Sequence, residues 1–379
     1  MDPAKAPRPR TRLPHVLAGL YALAIVYASL EPFSPWLPPA TGTPLFLFGG
    51  TTRFVRYDAL LNLLAYLPFG FFVGLLARGA PPARRIVASV VVGAAMSFAM
   101  ESLQMYIPPR IASPYDLAAN TLGALAGGIL ATLIAANPHA RRLLYQSRTR
   151  LFLPGHLGDV GLGLLLLWLV AQANPGIPLF ALTFEDDAIA TIGASVVAIP
   201  APQDNASAVL QAAGSAFQII GVGLFAALLL RRRRRLVPIV LGMIAGALLV
   251  KVAAAALVLK PAVWQAWLKP DTIVGIAAGL VALTVALVLP RPVQVALCAI
   301  ALLSSLGAPM LAPETLSGRP PTALFDWHYG QLLNYNGLTR TALLLWPLMG
   351  AAWLFALAGR PAWGKPAEEF DCWNPGASK

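Results

Sequence analysis

The sequence predicts an all-α fold, a polytopic transmembrane bundle of about ten spanning helices with both termini cytoplasmic. Three observations lead there. Of the 379 residues, 58% are hydrophobic and only 12% are charged, too apolar a balance for two or three water-soluble domains of this total length. The apolar residues fall in repeated runs of about 20, the length that crosses a hydrocarbon core. Lys and Arg then concentrate in every second connection between runs, as cytoplasmic loops do.

The runs cover residues 15–30, 58–77, 86–107, 116–137, 156–173, 207–230, 236–258, 272–289, 293–311 and 341–358. The first follows Lys5, Arg8, Arg10 and Arg12, as a secretory signal would. No small-residue cleavage site follows Ser29, so it is read as a retained helix. An even number of spans puts both termini on one side. The segments on that side, among them Arg78/Arg84/Arg85, Arg141/Arg142/Arg148/Arg150 and Arg231–Arg235, hold 20 of the 28 Lys and Arg. The opposite segments hold 7, and Lys251 lies inside a run. Short loops rich in Lys and Arg stay in the cytoplasm, which fixes the expected orientation. Most acids, including Glu31, Asp58, Glu101, Asp116 and Asp326, fall on the outer side.

The net charge of +12 does not point to nucleic acid, because the basic residues punctuate the apolar runs and form no single patch. Arg231–Arg235 is read as a cytoplasmic loop facing anionic headgroups. Cys298 and Cys372 fall in different environments, so neither a disulfide framework nor a thiolate metal site is expected. His15, His139, His156 and His328 share no ligand spacing, and neither a metal nor a cofactor is expected.

The chain divides into a four-helix membrane unit over 1–137, a basic cytoplasmic connector over 138–155, a six-helix membrane unit over 156–358 and a cytoplasmic tail over 359–379. The second unit carries outer loops at 174–206 and 312–340. Within the first of these, Ala188–Ile199 is apolar but too short to span, and is read as interfacial or re-entrant.

Polar residues gather in the first unit at helical spacing. Asp58 and Asn62, four apart, share a face at the outer start of the second span. Glu101 and Gln104 stand near the outer end of the third, and Asp116 and Asn120 at the outer start of the fourth. Arg110 lies in the connection between the third and fourth, where Pro108, Pro109 and Pro114 exclude a simple helix. Its guanidinium is expected to reach carboxylates on two or three neighbouring helices. Ser113 or Asp116 suits the cap of the fourth helix. About 15 Å below Asp58, Pro68-Phe69-Gly70 is expected to kink or break the second span and open a groove beneath the cluster. Gly123 and Gly127 allow a second helix to approach closely.

Asp58-xxx-Asn62, Leu67-Pro68-Phe69-Gly70, Glu101-xx-Gln104, Arg110 and Asp116-xxx-Asn120-xx-Gly123-xxx-Gly127 together resemble the VanZ-like family of small bacterial membrane proteins, over roughly residues 15–137. That family is named for a protein linked to resistance to teicoplanin, a glycopeptide that acts on envelope precursors. The resemblance implies a role in the bacterial cell envelope at the plasma membrane and supplies no reaction. It does not extend to the six-helix unit.

Two readings of the cluster stand side by side. Asp58, Asn62, Glu101, Gln104, Arg110, Ser113, Asp116 and Asn120 either glue three helix ends together, at about 1 kcal/mol per contact, or bind the headgroup of an amphiphile. Ionisable groups beside spans favour the second. No nucleophile with an adjacent base is apparent, so no catalytic residue is assigned. A second polar-aromatic stretch, Asp326, Trp327, His328, Tyr329 and Gln331, suits either sugar stacking or an interfacial aromatic belt. Lys251 and Asp159 are expected to snorkel toward the headgroups. The expected ligand is a membrane lipid or a lipid-linked envelope precursor such as a glycan. A transporter or flippase of such a precursor, and a membrane enzyme acting on a lipid-linked sugar through Glu101 or Asp116, are the alternatives. The sequence names no protein partner.

Overall fold

All ten apolar runs fold as helices. The computed structural model describes residues 11–48, 54–77, 79–108, 110–174, 204–231, 236–258, 270–311 and 330–360. Among these residues there are α-helices and no strand. They are α1 (Leu13–Leu30), α2 (Arg56–Leu76), α3 (Pro82–Gln104), α4 (Pro114–Ala136), α5 (Pro138–Leu151), α6 (Gly155–Gln172), α7 (Asp204–Leu229), α8 (Leu236–Val258), α9 (Pro270–Ala286), α10 (Arg291–Leu311) and α11 (Gly330–Ala358). Eight of them are long and apolar enough to cross a membrane, and α9 and α10 add shorter apolar stretches, Thr272–Ala286 and Arg291–Ser304. Two elements differ from expectation. The connector after α4 is itself largely helix α5. Helix α11 begins eleven residues before the apolar run at 341, because Asn334, Asn336, Thr339 and Arg340 are polar without being helix breakers. The segment Ala188–Ile199, the bulk of both outer loops and the tail beyond 360 lie outside the described residues.

The chain forms two compact units, one of residues 12–148 with 327–338 and the other of residues 1–11, 149–326 and 339–379. In the first, α2 and α4 lie in backbone contact. A Cβ on Gly123 would overlap the Leu63 carbonyl, one on Gly127 the Leu67 carbonyl, and one on Gly70 the Ala124 carbonyl. Small residues on both helices therefore admit an approach that any side chain would block. Helix α1 packs on α2 and α3 through Ile25 and Leu30, which join Tyr66, Phe69, Val73, Met100 and Ile107 in one apolar cluster.

The expected break at Pro68-Phe69-Gly70 does not occur, since α2 runs through it as one helix. Proline removes one N–H donor from the ladder, and side chains supply lateral hydrogen bonds around that turn. Tyr21 donates from its hydroxyl to the Ala65 carbonyl at 2.9 Å, and Ser89 donates from Oγ to the Gly70 carbonyl at 2.8 Å. No groove opens at Gly70, because the backbone of α4 fills that space.

The second unit is built around α7, where Leu224, Phe225, Leu228 and Leu229 are fully buried. Phe225 meets Trp346 and Trp353 of α11 with ring centroids 5.1 and 4.6 Å apart. Both indoles also hydrogen-bond to α6, Trp346 to the Leu164 carbonyl at 2.9 Å and Trp353 to the Leu157 carbonyl at 2.7 Å, so each ring is apolar on its faces and satisfied at its one donor. Lys251 and Asp159 do not snorkel, for both are buried within this unit. Lys251 donates from Nζ to the Asn174 carbonyl at 2.7 Å, just past the end of α6, and Asn174 donates from Nδ2 to Thr339 Oγ1 at 2.7 Å. A cation at a helix C-terminus is favourably placed against its exposed carbonyls. Asp159 accepts from Thr11 Oγ1 at 2.7 Å.

Candidate functional site

The carboxyl ends of α1 and α3 and the amino ends of α2 and α4 meet at one end of the first unit, and the polar residues singled out in the sequence converge there. They form a ladder with rungs one helical turn apart. Asp58, Asn62 and Tyr66 descend α2, Glu101 and Ser97 descend α3, and Asp116 and Asn120 descend α4. Asn62 stands beside the Asp116 carboxylate, and Asp58 is close enough to add like-charge repulsion. Glu101 is buried, with only 4% of its surface exposed, and its Oε2 accepts the Ser113 N–H at 2.8 Å. Ser113 caps α4 in turn, its Oγ accepting the Tyr115 N–H at 3.2 Å. The pair of bonds turns the strand of chain before α4 into a hinge pinned on α3.

One turn deeper, Asn120 donates from Nδ2 to Ser97 Oγ at 2.9 Å. Its Oδ1 is buried and accepts nothing. The Tyr66 hydroxyl lies beside Ser97 and Glu101, also buried and without a hydrogen bond of good geometry. Both side chains are 4% exposed. Buried polar atoms are nearly always paired, which makes the open acceptor of Asn120 an exception.

Arg110 stands near carboxylates and also bonds to the backbone. Its direct partners are backbone carbonyls at the end of α1: Nε donates to the Glu31 carbonyl at 2.8 Å and Nη2 to the Ala28 carbonyl at 3.1 Å. The last carbonyls of a helix have no intrahelical donor, and a guanidinium satisfies two of them at once while matching the negative end of the dipole. The carboxylates of Glu31 and Glu101 stand near enough to stabilise its charge, whereas burial pushes the guanidinium below its ordinary value. Burial pushes the Glu31 carboxyl above its ordinary value, with Arg110 opposing. Gln104 also turns to α1 and away from the acids, donating from Nε2 to the Ser29 carbonyl at 2.9 Å.

Sequence reasoning missed Glu31, Tyr66 and Ser97. Continuing the spacing of four from Asn62 gives Tyr66, and stepping back four from Glu101 gives Ser97, so two of the three carried a signal. Glu31 did not, because only packing brings the end of α1 to Arg110; its carboxylate lies against Gly337 of α11, where a Cβ would overlap it. Gly70, Gly123 and Gly127 line the α2–α4 contact, and Pro68 lies within α2 at the same level. Asp326, Trp327, His328 and Tyr329 lie outside the described residues, and Gln331 is placed on α11 by its backbone. Among the described residues, no three His, Cys, Asp or Glu side chains are grouped to hold a metal ion.

Around this end, large apolar side chains face outward: Trp36 and Phe48 after α1, Phe54 and Tyr57 at the start of α2, Tyr106 and Ile111 between α3 and α4, and Tyr115 on α4. Phe54 and Tyr115 pack edge to face at 5.4 Å. Aromatic side chains at a helix end suit the boundary between headgroups and hydrocarbon.

No curated protein and no solved structure matches the chain. Every residue of the ladder, with Glu31 and Arg110, lies within residues 17–135, the stretch that matches the model of the VanZ/LLP1 family; with eight helices long and apolar enough to cross a membrane, the chain is a multi-pass membrane protein that is similar to that family over this stretch.

Proposed function

We propose that the protein is a cell-envelope factor of the bacterial plasma membrane that binds the headgroup of a lipid-linked glycan or similar envelope amphiphile in the polar ladder. The single observation that supports this most is the buried Asn120 Oδ1, which accepts no hydrogen bond one turn below Asp116. Helix glue would leave such an atom satisfied, since each unmade hydrogen bond on a buried group costs about 1–3 kcal/mol. With both termini cytoplasmic, as the distribution of Lys and Arg supports, the ladder faces outward, where envelope precursors are used. The VanZ-type match supports an influence on glycopeptide susceptibility.

A transporter of the same precursor would need paired interrupted helices near mid-membrane, and α2 is continuous through Pro68. Binding without transport is therefore the better reading. The test is to purify the full chain in mild detergent and identify the co-purifying lipids by mass spectrometry, then repeat with Asp58→Asn/Glu101→Gln. A retained amphiphile that the variant loses supports the proposal. An unchanged lipid set, from variant protein that melts like wild type, overturns it.

A further inference from the structure

The charge and donor balance of the ladder specifies the ligand more narrowly. Four acids neighbour one another in turn, Asp58 beside Asp116, Asp116 beside Glu101, and Glu101 and Glu31 beside Arg110, and that cation already spends two of its donors on the Ala28 and Glu31 carbonyls. Glu101 accepts one backbone N–H and Asp116 neighbours one amide, which leaves further oxygen lone pairs open on both carboxyl groups. Below them Asn120 Oδ1 accepts nothing, and neither does Glu31 Oε2 beside Arg110. Acids outnumber the cation beside them, and acceptors on Glu31, Glu101, Asp116 and Asn120 stay open.

We infer that the ladder takes the primary ammonium of an amine-bearing lipid headgroup, seated between Glu101 and Asp116 above Asn120, with the phosphate or other acid of the same headgroup toward Arg110. This rests on the proposed binding function and names its ligand class. A primary ammonium carries three donors on one positive centre, which meets two carboxylates and an amide oxygen together. A quaternary ammonium carries the charge without the donors, and a polyol carries donors without the charge. Arg110 has further N–H groups beyond Nε and the Nη2 bond to Ala28, because a guanidinium offers five. The apolar rim of Trp36, Phe54, Tyr57 and Tyr115 then lies where acyl chains or their glycerol would begin.

The experiment uses the full chain, delipidated in detergent, and native mass spectrometry with three probes that share dioleoyl chains: phosphatidylethanolamine, phosphatidylcholine and phosphatidylglycerol. The inference expects phosphatidylethanolamine to be retained about tenfold more tightly than either of the others, as charge-assisted bonds exceed neutral ones. Glu101→Gln and Asp116→Asn should each erase that preference while the protein still melts cooperatively, and Asn120→Ala should weaken it. Equal retention of phosphatidylcholine overturns the need for donors, and equal retention of phosphatidylglycerol overturns the need for a cation; in both cases the binding function stands. Retention of none of the three, with none recovered from cells, defeats the binding function itself. Free ethanolamine is added as a competitor. If it displaces the lipid at matched concentration, the ligand is a soluble amine and the lipid assignment is overturned.

Discussion

Arg110 and Glu31 are joined by a hydrogen bond from the Arg110 Nε to the Glu31 backbone carbonyl at 2.8 Å, so the residue most conspicuous for its charge acts first as a cap. Through that bond and the one to Ala28, the loop between α3 and α4 fastens the end of α1. Hydrogen bonds to charged groups contribute about 1.5–3 kcal/mol, so Arg110→Ala should lower stability by about 2 kcal/mol or more in a detergent melt. Arg110→Lys should fall between, because a single ammonium cannot serve two carbonyls in the plane of a fork. A neutral effect of Arg110→Ala would mean the capping bonds are not made in the membrane.

The α2–α4 contact yields a paired prediction. Gly127→Ala drives a methyl into the Leu67 carbonyl, with the Gly70 carbonyl carbon 2.9 Å away. Overpacking against backbone costs about 1–3 kcal/mol or more, so this variant should express poorly or melt early. Gly19→Ala on α1 meets nothing within 4 Å and should be neutral or add up to about 1 kcal/mol of helix propensity. Thermal unfolding of the two variants side by side separates close packing from a general intolerance of substitution.

Glu31 gives a pH dependence with a definite sign. Its folded-state pKa lies above the ordinary 4.5, so between those values the folded protein binds the proton more tightly than the unfolded chain. The contribution of Glu31 to stability is therefore most favourable at acid pH and is lost as pH rises through the folded value. Stability measured across that window should fall with pH in wild type and more gently in Glu31→Gln. A steeper fall in the variant would contradict the assignment.

Lys251 should behave as a buried amine. Its ammonium lies on the Asn174 carbonyl inside the second unit, so a water-soluble acylating reagent should leave it unmodified in the folded protein. After unfolding in strong detergent it should react like other lysines, and peptide mass spectrometry reads both states. Rapid modification of the native protein would place Lys251 at the headgroups instead.

Much of this architecture was legible because hydropathy and helical period are local properties of a chain. Ten apolar runs mark ten helices, and the spacing of four in Asp58/Asn62 and Asp116/Asn120 puts each pair on one face before any packing is known. The partners of Arg110 were not legible, because the carbonyls of Ala28 and Glu31 become acceptors only by standing at a helix end, and a carbonyl has no side-chain signature. Pro68 misled for a related reason. A proline removes one donor, yet α2 continues through it, with the Tyr21 and Ser89 hydroxyls bonded to the Ala65 and Gly70 carbonyls on either side. Lys251 looked like a snorkelling residue by its depth in the run, and only the end of α6 beside it decided otherwise.

By itself, then, the sequence determined an all-helical membrane protein, the order of its spans and the set of polar residues placed at one level of the first four. Those follow from the free energy of apolar runs in hydrocarbon and from 3.6 residues per turn. The tertiary structure decided that Gly70, Gly123 and Gly127 bring α2 and α4 into backbone contact, that Arg110 caps α1, and that Asn120 bonds Ser97 through its Nδ2 while its buried Oδ1 stays open. These depend on the rotation of each helix about its axis and on its neighbour, which no single segment encodes.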